Sequence, residues 1–406
     1  MDLHVLVLGA GSTGLLIAQG LKKYGIRFSI YERESESAYN NHQRDWSMAM
    51  LWGTEHLNNT LPGELLSRVD EIKADPFSSP TTTLPFSNGK TGEHLVDIPG
   101  GLAIRVNREK LRKFLSTGID IKFGKTSTRI EELEDKVLIT FEDGSTTTGD
   151  TVICCDGIKG LGRTTLLGTQ AALSTAPCTI VNIVNKYNPE QARFIYEALN
   201  PIKFASHPDQ PTLFLLAAVD IPSLERPEDW KLQCLLTTWN AEHADTNEER
   251  LRTFKQAAST YAEPWRSAAL WLPDDTHIPP DGVRYWANPT AWPTRNGKMT
   301  LGGDAAHPMM PFRAQGLNNA LADADQYVLN IVAVRDGRLC LGDAVAAYGE
   351  EVLKRGAKEI QLSAAWGPML HDWTALVQSP LMKRGYGKQQ QQTDSAAGSM
   401  TPSLHL

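Results

Sequence analysis

The pattern of apolar and polar positions divides the chain into three textures. Residues 3–8 (LHVLVL) are a continuous apolar run of strand length, which suits a strand covered on both faces. Gly9 to Gly14 break that run. Residues 13–24 then carry apolar side chains at helical spacing, with Gly25 as the expected stop. A second strand follows over residues 28–32. Strand, helix and strand within about 30 residues make a βαβ start, so the chain opens on a parallel sheet. Farther on, Val137–Phe141 predicts a strand that turns at Asp143-Gly144, and residues 150–155 predict another buried strand.

From about residue 175 to 285 strand-like pieces (179–184, 212–219, 233–239) alternate with loops rich in Pro, Asn and Asp. This texture predicts a mostly antiparallel layer, with one helix over about 248–262. A short strand at 298–301 returns to the first texture, and long helical patterns follow at 316–334 and 343–362. Residues 387–406, with four consecutive glutamines at 389–392, read as a disordered tail. No internal repeat is visible.

Charge and cysteine content narrow the classes. Forty Lys plus Arg stand against 47 Asp plus Glu, a net charge of −7, so the basic footprint of a nucleic-acid binder is missing. Five cysteines, with no pair of doublets, suit neither a disulfide scaffold nor a zinc site. No metal is expected, and a reducing, cytoplasmic setting is. Residues 3–21 are apolar, but glycines interrupt them and no basic region leads them. Elsewhere the longest apolar run, 213–219, falls far short of the ~20 residues that span a bilayer. No membrane segment is expected.

The chemistry begins at Gly9-x-Gly11-x-x-Gly14, between the first strand and its helix. Gly9 permits a tight turn, Gly11 lets backbone approach a pyrophosphate, and Gly14 lets the helix pack closely, so that the helix N-terminus faces an anion. Glu32, eighteen residues after Gly14, is placed to accept hydrogen bonds from an adenosine ribose, with Arg33 beside it. Together these features predict dinucleotide binding, and they are shared by sites for NAD and for FAD.

Residues 302–323, GGDAAHPMMPFRAQGLNNALAD, separate the two. They closely resemble the second FAD motif of the class A flavoprotein monooxygenases, the para-hydroxybenzoate hydroxylase type. The resemblance implies that Asp304 binds the flavin-side ribitol. It also implies that Pro311, Phe312, Arg313, Ala314, Gln315 and Gly316 lie against the isoalloxazine ring. The helix that follows, through Leu317 and Asn318, would point its N-terminus at the N1–C2=O edge, where a helix dipole stabilises negative charge. Ala314 stands where a glycine is usual, and an alanine there calls for a negative φ. Residues 155–163 (CDGIKGLGR) are similar to the family's Asp-Gly motif, implying cofactor contacts from Asp156, Gly157 and Arg163; Gly160 replaces the usual serine. Arg44 and Arg108 match arginines near the FAD phosphates, with Arg105 as the rival of Arg108.

The resemblance covers residues 3 to about 335. It implies an α/β fold: a Rossmann-like FAD-binding domain assembled from 1–75, 98–172 and 285–335, and a mostly antiparallel β-sheet substrate domain from 76–97 and 173–284. C-terminal helices over 336–386 precede the tail. By resemblance, NADPH or NADH reduces FAD, O2 adds at flavin C4a, and the hydroperoxide passes one oxygen atom to a small organic substrate, aromatic or secondary-metabolite-like. No second glycine fingerprint appears, so no dedicated NADPH domain is expected. An FAD oxidase or dehydrogenase without oxygen transfer, or a redox-neutral flavoprotein, stays open as the alternative, as do the substrate, any catalytic base and the oligomeric state. His307 is expected to serve packing, and Cys154 and Cys155 to be core. Trp46, Trp52, Trp239, Trp286 and Trp292 read as core more readily than as pocket walls.

Overall fold

The computed structural model describes residues 3–41, 44–79, 81–199 and 202–384; the expected tail lies outside them. The chain forms two compact units. One comprises residues up to Ala74, Val106–Ala176 and Val283–Trp366; the other comprises Asp75–Arg105, Pro177–Gly282 and the chain from Gly367.

The first unit is built on a parallel sheet in the order Met299–Leu301, Thr151–Cys154, His4–Leu8, Arg27–Tyr31, Ile121–Lys122. His4–Leu8 lies at its centre, which explains the unbroken apolar run: Val5, Leu6 and Val7 have no exposed surface. Helix Ser12–Lys23 leaves this strand through the glycine loop and ends at Tyr24, with Gly25 at φ +64°. It packs on helix Gly316–Arg335. An ideal Cβ on Gly20 would lie 2.6 Å from a Val328 methyl, so a glycine lets the two helices close. A small antiparallel sheet, Ser127–Glu132, Val137–Phe141 and Thr146–Gly149, carries the expected Asp143-Gly144 turn.

In the second unit the strands run in the order Ser174–Asn185, Lys231–Trp239, Thr212–Asp220, Ile202–Ser206, Thr81–Asn88, His94–Asn107. All neighbours are antiparallel except Ile202–Ser206 beside Thr81–Asn88. Phe214, Phe254, Tyr261 and Trp265 fill its core. The helix expected over 248–262 runs Asn247–Ala258, capped by the Thr246 hydroxyl. It ends ahead of Glu263-Pro264, where proline bars helical backbone from the preceding residue.

One helical boundary differs from the pattern. The helical pattern expected over 343–362 extends farther: helix Leu341–His371 continues through Gly367 and Pro368. Its final turn is tied down within the second unit: the Ser206 hydroxyl donates to the Leu370 carbonyl at 2.6 Å, and His371 Nε2 meets the Thr237 hydroxyl at 2.7 Å. These tertiary bonds outweigh the local penalty of the proline. Among the described residues no helix is long and apolar enough to cross a membrane, and no cluster of three metal-ligating side chains occurs.

Candidate cofactor site

The parallel strands end at a cleft of about 710 Å3 whose lining residues all belong to the first unit. Its floor is the glycine loop. Gly9 sits at φ +97°, and a Cβ there would lie 2.4 Å from the Cys155 carbonyl oxygen. A Cβ on Gly14 would lie 2.0 Å from the Gly9 oxygen. Gly11 differs: it precedes the first helical residue, and a Cβ would meet nothing within 4 Å. The loop thus leaves open space in front of a helix N-terminus, the arrangement that receives an anion. Glu32 braces the loop, its carboxylate accepting from Ala10 N at 2.8 Å and Glu34 N at 3.0 Å.

Two further carboxylates line the cleft. Asp304 projects from the turn Gly303–Ala305, whose backbone is held on both sides. Gly303 N donates to Asp323 Oδ2 at 2.6 Å, and Arg163 donates to the Ala305 carbonyl at 2.8 Å. Asp304 is open to the cleft yet surrounded by protein; desolvation pushes its carboxyl up, opposed by the His307 and Arg108 charges. Asp156 Oδ2 accepts from Gly162 N at 3.1 Å. Asp156 Oδ1 is shut from solvent and has no hydrogen-bond partner among the described residues. Burial accordingly raises that carboxyl as well.

Opposing these acids are the basic lining residues Arg33, Arg108, Arg112, Lys125 and Lys159. The Arg108 guanidinium lies 4.5 Å from the centre of the Trp46 ring. Arg112 lies 3.8 Å over Tyr39, donates to the Tyr39 carbonyl, and sits 3.8 Å from the Glu34 carboxylate. Tyr39 closes that chain by donating to Ala10 O at 2.9 Å.

Of the residues singled out in the sequence, the cleft brings together Gly9, Gly11, Glu32, Arg33, Arg108, Asp156, Gly157, Asp304, Gly316 and Leu317. Gly14 acts behind the loop, as the close approach above shows. Arg44 is exposed and outside the lining, and Arg105 is not part of it either. The Asn318 side chain does not face the cleft. It has no exposed surface and clamps its surroundings, accepting from Leu51 N and Gly53 N at 2.7 and 3.1 Å and donating to the carbonyls of Ala49 and Ala314.

The expected negative φ at Ala314 is overturned: the residue adopts the left-handed conformation, φ 54° and ψ 34°. The turn Pro311–Arg313 needs a left-handed residue to swing into helix Gly316–Arg335, and the Asn318 amide donates to the Ala314 carbonyl at 2.9 Å. Pro311, Phe312, Arg313, Ala314 and Gln315 do not line the cleft. Arg313 lies over the Trp366 ring and 3.3 Å from Glu359, while Gln315 accepts from the Trp52 indole at 2.7 Å.

Three other readings change. Arg163 is 1% exposed and stacks 4.3 Å over Trp286 while donating to the carbonyls of Ala305 and Ala171. It supports the Asp304 turn from behind and does not reach the cleft. Cys154 is core, but Cys155 lines the cleft, because the strand ends between them and the two side chains part. Among the tryptophans, Trp286 and Trp292 are core, whereas Trp46 is a cleft wall. Arg112 and Lys125 carried no signal as cleft residues in the sequence, save that Arg112 follows Arg108 by one helical turn.

The donor set fits an extended dinucleotide: a helix N-terminus and arginines for phosphates, Glu32 for one sugar, and Asp304 beside a second helix N-terminus. The chain matches the FAD binding domain family over residues 70–362. It is 34% identical over 392 residues to the FAD-dependent monooxygenase phnB of Penicillium herquei, covering 94% of this chain and 95% of that protein. It is 33% identical over 389 residues to the FAD-dependent monooxygenase cctM of Talaromyces islandicus, covering 94% and 96%. In fold it is similar to 2,6-dihydroxypyridine-3-hydroxylase from Arthrobacter nicotinovorans, with a TM-score of 0.72 at 18% identity over 91% of this chain and 93% of that one. It is similar also to HpxO of Klebsiella pneumoniae complexed with FAD and uric acid, with a TM-score of 0.70 at 18% identity over 98% and 92%. The chain belongs to the class A FAD-dependent monooxygenase family, the para-hydroxybenzoate hydroxylase type.

Proposed function

We propose that this monooxygenase takes electrons from NADPH or NADH and inserts one atom of O2 into a small organic substrate, aromatic or secondary-metabolite-like. The observation that carries this reading is the cleft itself, whose lining joins the glycine loop and Glu32 with Asp304 and the start of helix Gly316–Arg335. Bound there, FAD supplies the two-electron redox chemistry and oxygen activation.

The chain's part is to bind, orient and polarise. The N-terminus of helix Ser12–Lys23, with Arg108, offsets the charge of a pyrophosphate. Glu32, already fixed by two backbone donors, accepts from the adenosine ribose and keeps its orientation in doing so. Asp304, open to the cleft and without a hydrogen bond among those found in the described residues, gains donors from the ribitol hydroxyls. Backbone N–H groups at Gly316 and Leu317 stabilise negative charge developing on the bound ring system. We assign cofactor holding to the first unit and substrate recognition to the second.

The test uses purified protein, NADPH or NADH, 18O2 and a panel of phenolic and polyketide-like aromatics. The reading expects a substrate that accelerates anaerobic loss of the oxidised-flavin band and then carries one 18O atom. Hydrogen peroxide released with every compound, and no labelled product, would identify an oxidase instead. A yellow protein that neither nicotinamide reduces would refute the reading outright.

A further inference from the structure

Arg108 occupies an unusual place for a cation. It is the first residue of helix Arg108–Leu115, where the helix dipole disfavours positive charge. Desolvation lowers its pKa, and the neighbouring Arg112 lowers it further, with Asp45 and Glu34 opposing. No hydrogen bond from its guanidinium to another described residue is present; its direct neighbour is the face of Trp46, 4.5 Å away. The two residues face the same cleft.

Their backbones are locked together. Arg108 N donates to the Trp46 carbonyl at 3.0 Å. Asp45 ties both segments, accepting from Trp46 N at 2.9 Å, from Glu109 N at 3.2 Å and from the Asn107 amide at 2.6 Å. Asn107 in turn caps the helix by accepting from Lys110 N at 2.7 Å. The backbones that carry the two side chains are therefore fixed to each other, and the guanidinium resting on the indole keeps its hydrogen-bonding edges free for an anion.

We infer that Trp46 is a positioning residue for FAD: it holds the Arg108 guanidinium on its ring face so that the guanidinium edge meets the cofactor's pyrophosphate. This rests on the reading of the cleft as the FAD site. A long arginine side chain loses much rotamer freedom on binding an anion, and stacking on a rigid ring removes that freedom beforehand. Trp46 thus raises affinity without contributing a hydrogen bond to the ligand.

The experiment is a double-mutant cycle on the full chain, freed of flavin and titrated by calorimetry with FAD and with ADP, which carries the pyrophosphate but no flavin. Trp46→Ala is expected to weaken both ligands by about tenfold, the scale of a partly desolvated cation–π contact. Trp46→Phe retains a ring face and should stay within about threefold of wild type. Trp46→Gln, which keeps bulk without a π face, should lose as much as alanine, and it carries the test if the alanine variant fails to fold. In an Arg108→Ala background, Trp46→Ala should bring no further loss of either ligand.

Equal losses from Trp46→Ala with and without Arg108 would overturn the inference, because the tryptophan would then act on its own. A loss for FAD with none for ADP would overturn it too, placing Trp46 against the flavin. Wild-type protein that binds neither ligand would instead remove the FAD reading, and the inference with it.

Discussion

Replacing Asp323 tests the buried network behind the Asp304 turn. Asp323 has no exposed surface. Its Oδ2 accepts from Gly303 N at 2.6 Å and meets His307 Nε2 at 2.7 Å, while Oδ1 accepts from Arg355 at 2.7 Å. Asp323→Ala leaves three donors facing a void. Arg355 keeps Glu351 at 2.7 Å and the Asn319 side-chain oxygen at 2.7 Å, so its charge stays paired. Gly303 N–H and the His307 ring have no such fallback. Each orphaned group costs about 1–3 kcal/mol, which puts the total near the roughly 3–5 kcal/mol of a broken buried pair.

Asp323→Asn sharpens the test. An amide has one oxygen, so its NH2 must face either Arg355 or the Gly303–His307 side, donor against donor. The expected loss is about 2–3 kcal/mol, smaller than for alanine because the shape is kept.

The acid side supports the same size. Burial alone would raise the Asp323 carboxyl, but the His307 and Arg355 charges and hydrogen bonds hold it down at about 2, against an ordinary 3.8. The unfolded chain thus binds the extra proton between those values. The stabilisation is fully present above pH 4 and fades as pH falls through about 2, an amount on the order of 2 kcal/mol. Urea unfolding followed by tryptophan fluorescence at pH 7 reads both variants. An Asp323→Asn midpoint shift worth less than about 0.5 kcal/mol, the range of neutral surface changes, would refute the network's role. Loosening Gly303 should also weaken FAD binding, since Asp304 is the next residue.

Three further outcomes are expected. Gly160→Ser restores the family's usual residue, but its Cβ would lie 2.0 Å from Asp156 Cγ. The carboxylate must then leave Gly162 N, and thermal unfolding should show the loss of about 1 kcal/mol typical of a helix cap; an unchanged melting temperature would contradict this. Gly9→Ala places a Cβ 2.4 Å from the Cys155 oxygen at φ +97°, and the purified variant should carry no flavin colour. His371 is 5% exposed, and burial pushes its pKa from 6.5 down to about 4, despite its bonds to Gly367 and Thr237. The unfolded chain takes up that proton first, so stability is full above pH 6.5 and falls as pH drops toward 4, by about 3 kcal/mol. His371→Gln should flatten the slope of unfolding free energy in that window; an unaltered slope would assign it to other groups.

Much of the fold was legible along the chain because short-range patterns determine it. The apolar run of His4–Leu8, the helix after it, the Asp143-Gly144 turn and helix Gly316–Arg335 each follow from spacing within a few residues. The demands on Gly9 and Gly14 come from a local strand–turn–helix, so their spacing alone announced the cleft floor. The path through Gly367-Pro368 was not legible, because the Ser206 and Thr237 bonds that hold it come from strands more than 130 residues away. The same holds for the rest of the site. Arg44 and Arg108 are equivalent as letters, but only Arg108 reaches the cleft, and Trp46 enters it only because Asp45 bridges to Asn107 across 62 residues. Ala314 is left-handed because of the turn it closes and the Asn318 clamp beside it, and Arg163 is consumed by carbonyls of Ala305 and Ala171. The sequence by itself therefore determined the cofactor-binding class and the elements that build it. Which side chains face the cofactor was decided by the tertiary structure, because distant segments compete for the same hydrogen bonds and ring faces, and that competition leaves no trace in local spacing.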